Sequence, residues 1–371
     1  MIQRVLIIGG YGNFGRFIAK RLARNADVQL IIAGRNREKA HALAGQLDAI
    51  NTPEATQIDI TSGLADSLEQ IAPDIVIHTS GPYQLQDYKV AKACIDHGCH
   101  YIDLADGRNF VNGIAELDRA AKERKLLICS GASSVPALSS AIIDQYIDEF
   151  GTLERIEYAI ATAQLTNRGL ATTLSVLSYA GKPFKTLIEG RMRDVYGWLG
   201  LRFRKFHGLG SRPLGNCDIP DLDLFPKRYP SLKTIRFRAG LELKLLHLIL
   251  AAMSWLVSLR LFPSLSRMAP QLLKISRLFD IFGDDGSGFY MELTGRTAEG
   301  KTRRILFEIV ARHGDGLYIP CIPAILMTQK LIRGETTDTG AHPCIGFIDL
   351  DEYLAGLSDL NIQWQTSRHN L

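Results

Sequence analysis

At 371 residues, with 46% hydrophobic and 22% charged side chains, the chain has the make-up of a folded globular protein and the length for two domains, which excludes a disordered chain. A formal net charge of +4 is too small to call for a nucleic-acid partner, and none is expected. Six cysteines (Cys94, Cys99, Cys129, Cys217, Cys321, Cys344) form no C-x-x-C pair and no zinc-type cluster with histidine, so no metal site is expected.

The first predicted strand, residues 5–8, runs straight into a glycine turn, with no basic leader or cleavage signature before it. Together with the scattered cysteines this suggests a reducing cytoplasm. Further apolar runs at 28–33, 56–60, 74–78 and 126–129 alternate with amphipathic stretches at 14–24, 37–47 and 87–97. Strands alternating with helices of that length predict an α/β architecture, a Rossmann-type doubly wound parallel sheet over residues 1–135.

Between the first strand and helix lie Gly9, Gly10, Tyr11, Gly12, Asn13, Phe14 and Gly15, placing G-x-G-x-x-G (Gly10, Gly12, Gly15) where a dinucleotide-binding turn requires it. Gly10 suits the tight turn, Gly12 lets the backbone approach a pyrophosphate, and Gly15 allows close packing of helix on strand. The helix start offers N–H groups and its positive dipole end to the phosphates. A glycine-rich turn without a ligand is the plain alternative.

The second strand should end beside the adenosine ribose, where NAD-dependent enzymes carry Asp or Glu. Here the run is Ala33-Gly34-Arg35-Asn36-Arg37-Glu38-Lys39. With Arg35 and Lys39 four residues apart beside Asn36, the site suits a 2′-phosphate, so NADP(H) is favoured over NAD(H). Asp59 and Ile60 end the third strand, where an adenine pocket forms, and Thr79, Ser80, Gly81 and Pro82 end the fourth, beside the expected nicotinamide crevice.

Beyond Pro136 the rhythm changes. A helix to about residue 150, a strand at 155–161, a helical region at 169–179 and a hairpin of 289–296 with 301–312 predict a second, α+β domain over 136–318, for substrate or for dimerisation. The Gly/Asp cluster at 283–288 lacks EF-hand spacing and reads as a loop. Within this domain, 241–282 is an apolar helical insertion. Residues 245–259 contain no Lys, Arg, Asp or Glu, and 271–282 form a basic amphipathic pattern. From Lys185 to Arg277 there are seventeen Lys+Arg against six Asp+Glu, a local net of +11 that leaves the remainder at −7. Such an apolar helix must be covered by something. The expectations are peripheral contact with an anionic membrane surface, or else a core or homodimer interface with a solvated basic rim.

With these residues placed, the chain resembles the saccharopine dehydrogenase-like oxidoreductases. The matching stretches are Gly9 to Gly15, Gly34-Arg35-Asn36, Ser80-Gly81-Pro82-Tyr83, and the run from Ala93-Cys94 through His97-Gly98 to His100-Tyr101-Ile102-Asp103-Leu104. Gly131 to Pro136, Asn216 to Asp221 and Pro343 to Gly346 look like later landmarks of that family. The resemblance implies a Rossmann domain, an α+β domain after it, a segment at 319–371 packing back on the first, and hydride transfer with a nicotinamide cofactor. It does not imply saccharopine as the substrate, and no arginine cluster suited to an amino-dicarboxylate is evident in the sequence.

Hydride transfer to a polar double bond needs a proton donor or acceptor near the cofactor. Tyr83 follows the fourth strand and Asp103 and Asp106 the fifth, so these three are the candidates for acid, base or orienting groups. A cap or structural hydrogen bond is the plain alternative for Asp103, and a pocket wall for Tyr83. The resulting expectation is an NADP-dependent oxidoreductase acting on a C=N or C=C bond, including one in an apolar or lipid-like substrate. The alternative is a non-catalytic NADP(H)-binding protein, membrane-associated or redox-responsive, since no catalytic Lys or His stands out beside the strand ends.

Overall fold

The computed structural model describes residues 2–370 and resolves two compact units: residues up to Ala141 with Tyr318–Gly356, and Ile142–Leu317 with the residues from Leu357 on. In chain order the first unit contains β1 (Gln3–Ile8), α1 (Asn13–Leu22), β2 (Val28–Gly34), α2 (Arg37–Ala44), β3 (Glu54–Gln57), α3 (Leu64–Ile71) and β4 (Ile75–His78). It continues with α4 (Lys89–His97), β5 (His100–Asp103), α5 (Arg108–Gly113), α6 (Asp118–Glu123) and β6 (Leu127–Ser130). After α7 (Ser139–Tyr146), which runs across the division, the second unit holds β7 (Thr152–Thr162), α8 (Leu170–Ser178), β8 (Pro183–Ile188), β9 (Arg191–Tyr196), β10 (Arg202–Phe206) and β11 (Gly210–Asn216). It goes on through α9 (Asp221–Arg228), β12 (Thr234–Leu241), α10 (Lys244–Ser258), α11 (Ala269–Arg277), β13 (Ser287–Arg296) and β14 (Thr302–Ala311). The chain returns to the first unit with α12 (Ile322–Arg333), β15 (Gly340–Pro343) and α13 (Leu350–Ala355), and ends in the second with β16 (Ile362–Asn370).

The first unit is a seven-stranded parallel sheet in the order β15-β6-β5-β4-β1-β2-β3. The interior strand β1 reads Val5-Leu6-Ile7-Ile8 without alternation because both of its faces are covered, and all four side chains are buried. On α1 the buried positions Ile18, Ala19 and Leu22 form one stripe, and Lys20 and Arg21 sit in the last turn, where the helix dipole favours cations. From β1 the chain builds outward through β2 and β3 on one side and then crosses back to β4 on the other, so the strand order reverses between β1 and β4, beside the glycine turn. β15 is a strand that the sequence does not announce. It has four residues, begins at a glycine and ends at a proline, too short for any period to be read.

The second unit is built on a mixed sheet in the order β10-β11-β12-β7-β13-β14-β16, with β8 and β9 pairing separately. β7 lies parallel to β12 and antiparallel to β13. The expected hairpin is present as β13 and β14, closed by Thr297 N donating to Lys301 O at 2.9 Å, with Gly300 at φ +79 in the turn. The register puts Ile156, Ile235 and Leu293 on one face, all buried, and Glu157, Arg236 and Glu292 on the other. Among the described residues no helix is long and apolar enough to cross a membrane.

Candidate functional site

The glycine turn is assembled from close backbone approaches that leave little room for a β-carbon. Gly9, at φ +82, takes the left-handed conformation, so the turn falls one residue earlier than the motif suggested. A β-carbon on Gly9 would stand 2.6 Å from Ser80 Oγ and 2.7 Å from Thr79 Oγ1, which shows how tightly the end of β4 crosses this turn. Gly10 instead packs on β2, where a β-carbon would lie 2.9 Å from Ile32 Cγ2. At Gly15 it would meet Gly9 O at 2.5 Å and Gly10 Cα at 2.7 Å, so the expected close packing of helix on turn is present. Gly12 is different: it is exposed, and a β-carbon there would have a single near neighbour, Gly9 O at 3.1 Å.

Gly12 also occupies the N-cap position of α1 and supplies no side-chain cap. The first turn of a helix has N–H groups without intrahelical acceptors, and here they lie beside an open glycine at the sheet's switch point. Asn13 and Phe14, both half-buried, open that turn. A pyrophosphate fits this cradle, with Gly12, Asn13 and Phe14 as the residues that would hold it.

At the end of β2, Tyr11 lies against Gly34, where a β-carbon would meet its ring at 2.5 Å, and Tyr11 Oη accepts from Asn36 N at 3.0 Å. The sequence signal for this is an aromatic residue inside the glycine motif, which the motif itself does not specify. Asn36 caps α2, its Oδ1 accepting from Lys39 N at 2.8 Å. Arg35 therefore precedes the helix and Lys39 belongs to its first turn, so the two are not neighbours on one helical face; they flank the cap, and both are exposed. Asp59 lies past the end of β3, which stops at Gln57. Its Oδ1 accepts from Thr61 N at 2.9 Å and Thr61 Oγ1 at 2.7 Å, and those bonds, with a smaller attraction from Arg35, hold its carboxyl below the usual range. Ile60, half-buried, packs against the first unit's core.

The ends of β4, β5 and β6 form a second cluster. Thr79 bonds to Ile8 O through both its N–H (2.9 Å) and its Oγ1 (3.0 Å), while Ser80 O accepts from Gln86 Nε2 at 2.6 Å. Gly81 and Pro82 follow, both half-buried. Tyr83 is buried and donates to His78 O at 2.6 Å, and burial, followed by the nearby Asp103 and Asp106 charges, pushes its hydroxyl well above the ordinary range. Asp103 is fully buried at the end of β5, and its Oδ1 accepts from Ala105 N (2.9 Å), Gly131 N (2.9 Å) and Ser130 Oγ (3.0 Å). It ties the loop after β5 to the loop after β6. Asp106 accepts from Gln84 Nε2 at 3.0 Å and is half-buried. Asp103 and Asp106 thus both lie within electrostatic reach of Tyr83. The fold adds His78 to this cluster, a residue whose sequence signal is no more than a histidine at a strand end. It is buried, bonded through Nδ1 to Tyr101 Oη at 3.0 Å, and pushed down to about 4 by burial.

Burial raises the Asp103 carboxyl from 3.8 to about 6, against the opposing pull of its hydrogen bonds to Gly131, Ala105 and Ser130. An acid whose folded value lies above its unfolded one binds more protons folded than unfolded between the two, so it favours folding as pH falls through about 6 and opposes it above. Asp103→Asn keeps an acceptor for the three donors and removes the titration. Between about pH 7 and pH 5 its change in stability should be less favourable than the parent's by roughly 1.4 kcal/mol, one proton over about one unit. Urea unfolding at the two pH values measures this, and identical pH responses of parent and variant would sink the assignment.

In the second unit, pairing across the sheet assembles what the sequence keeps apart. Glu157 lies 2.9 Å from Arg155 and 3.5 Å from Arg238, while Glu292 is shared by Arg204, at 3.6 Å, and Arg304. Four arginines thus meet two carboxylates on one face of the sheet. The arginines stand on four different strands, so no local spacing could reveal them.

Residues 5–129 match the family described as "Saccharopine dehydrogenase NADP binding domain". A curated protein of Arabidopsis thaliana, named "Probable mitochondrial saccharopine dehydrogenase-like oxidoreductase", is 23% identical over 150 residues, covering 37% of this chain and 33% of that protein. The match therefore spans about a third of the relative's length. Among solved structures, the apo saccharopine dehydrogenase (L-Glu forming) of Saccharomyces cerevisiae superposes with a TM-score of 0.72 at 14% identity, covering 98% of this chain and 100% of the other. The NADP-binding domain of the saccharopine dehydrogenase type is therefore present over residues 5–129, and the chain has the α/β fold of saccharopine dehydrogenase.

Proposed function

We propose that this protein is an NADP-dependent oxidoreductase that moves a hydride to or from a C=N or C=C bond. The observation that carries the reading is the open cradle at Gly12, set at the point where the strand order reverses and followed at the end of β2 by Arg35 and Lys39 in place of an acid. NADP(H) supplies the hydride chemistry when bound. This chain's own part is to hold the pyrophosphate at the start of α1, to meet the 2′-phosphate with Arg35 and Lys39, and to present the ends of β4 and β5 toward the reacting ring.

In the reducing direction the double-bond carbon gains hydride, its partner atom gains a proton, and NADPH becomes NADP⁺. Asp106 is the member of the acidic cluster left half-buried, and we assign it the role of proton donor or orienting group. Tyr83 and Asp103, whose polar atoms are turned into the protein, position the loops around it. An apolar or lipid-like substrate agrees with the large exposed apolar surface of the second unit. The deciding experiment follows NADPH oxidation against cyclic imines, 2-oxo acids with amines, and enoyl lipids. Turnover of one class at a rate lowered in Asp106→Asn is the expected outcome. Tight NADPH binding with no turnover of any class would favour the non-catalytic, NADP(H)-sensing reading.

A further inference from the structure

The helical segment between β12 and β13 is built with its apolar side outward. α10 carries no charged residue after Lys244, yet the side chains it buries are His247, Leu250 and Ser254. Ser254 Oγ donates to Leu250 O at 2.8 Å, and His247 stands edge-on to Trp198 at 5.5 Å while its Nδ1 accepts from Leu241 N at 3.4 Å. This inner face is anchored in a small core with Leu177, Trp198, Leu265 and Ala269. Outward stand Leu245, Ile249 and Trp255, and beyond α11 come Leu278, Ile281 and Phe282 at 71, 82 and 68% exposure. Twelve of the twenty-two large apolar side chains exposed among the described residues lie between Leu245 and Phe282. Concentrated apolar surface of this kind marks an interaction site rather than ordinary scatter.

Its charges identify the partner. Lys244, Arg260, Arg267, Lys274 and Arg277 are exposed in the same segment. Between Lys244 and Phe282 the one acid, Asp280, is partly exposed and paired with Arg168 at 2.7 Å. A two-fold contact between copies would set this cationic rim against itself, because such an interface joins a patch to its own copy. An anionic bilayer provides the missing counter-charge and accepts Leu, Ile and Trp side chains at its headgroup boundary. α10 has 15 residues, about 22 Å at 1.5 Å each, which is short of the roughly 30 Å hydrocarbon core. We propose that the outer face of α10 and α11 is an interfacial binding surface for anionic membrane, lying in the headgroup plane without crossing it. This inference does not depend on which substrate the protein reduces.

The test uses the whole purified chain with vesicles of phosphatidylcholine and phosphatidylglycerol in equal parts, against phosphatidylcholine alone. The protein should pellet with the anionic vesicles at low salt, be released in part by high salt, and show a blue-shifted tryptophan emission that Trp255→Phe removes. Leu256→Glu with Leu259→Glu should abolish pelleting while NADPH binding is retained. Should that variant fail to fold, Lys274→Ala with Arg277→Ala alters exposed positions alone and should weaken partitioning roughly 25-fold, about fivefold for each lost cation. No pelleting at low salt overturns the proposal, as does pelleting that none of these substitutions changes. A stable dimer that the glutamates disperse, without vesicle binding, assigns the face to a second copy instead.

Discussion

Replacing Arg35 by Asp lowers NADPH affinity by about 1.5–3 kcal/mol, roughly 10- to 150-fold, and alters NADH binding less. The size follows from the loss of a charge-assisted bond to a dianionic 2′-phosphate at a position that offers it no other strong cation before the Asn36 cap. An introduced carboxylate adds repulsion to the 2′-phosphate, whereas toward NADH it offers the ribose hydroxyls an acceptor. Asp59, whose carboxyl feels the Arg35 charge, is occupied by Thr61 through two bonds and does not take that place. In the unaltered protein NADPH should bind at least about tenfold more tightly than NADH, about 1.4 kcal/mol. Fluorescence titration with both cofactors measures both statements. Equal affinities in the parent, or an Arg35→Asp protein with undiminished NADPH binding, would remove Arg35 from the cofactor site.

The first unit is legible because its instructions are local. A buried parallel strand reads as an unbroken apolar run, as in Val5 to Ile8, and a glycine motif between strand and helix announces a turn that no other residue type can make. Legibility fails one step further in, where contacts between distant residues decide. Gly9 rather than Gly10 takes the left-handed conformation, at φ +82 where the end of β4 crosses the turn, while Gly10 packs on β2. Arg35 and Lys39 have the spacing of one helical face, but Asn36 is the cap that separates them. In the second unit β8 to β11 carry no clear strand signal because arginine and lysine interrupt their apolar alternation. Asp103 shows the same limit at the site. Its position after a strand is readable, but the three donors that hold it come from residues 105, 130 and 131, and only the folded sheet brings them to one carboxylate.

Gly12→Val should abolish measurable binding of NADPH and NADH alike while the protein keeps its stability, whereas Gly15→Ala should lower the stability of the fold itself. The two glycines lie three residues apart in one motif, but their surroundings differ. Gly12 has φ −70 and ψ 172, which valine adopts, and its β-carbon would meet one atom, Gly9 O, at 3.1 Å. The two methyl groups then extend into the space beside the first turn of α1, where the pyrophosphate must come within hydrogen-bond distance of the backbone. Losing two charge-assisted bonds there costs about 3–6 kcal/mol, which removes binding at ordinary titration concentrations. Because the pyrophosphate is common to both cofactors, the loss should not discriminate between them, unlike the loss at Arg35. At Gly15 the added carbon would overlap Gly9 O at 2.5 Å and Gly10 Cα at 2.7 Å, both backbone atoms that cannot swing aside. α1 must then move away from β1, at a cost of about 1–3 kcal/mol in stability. Thermal unfolding of both variants, read beside cofactor titration, separates the effects. A Gly12→Val protein that binds NADPH normally would show that the pyrophosphate does not lie against this turn.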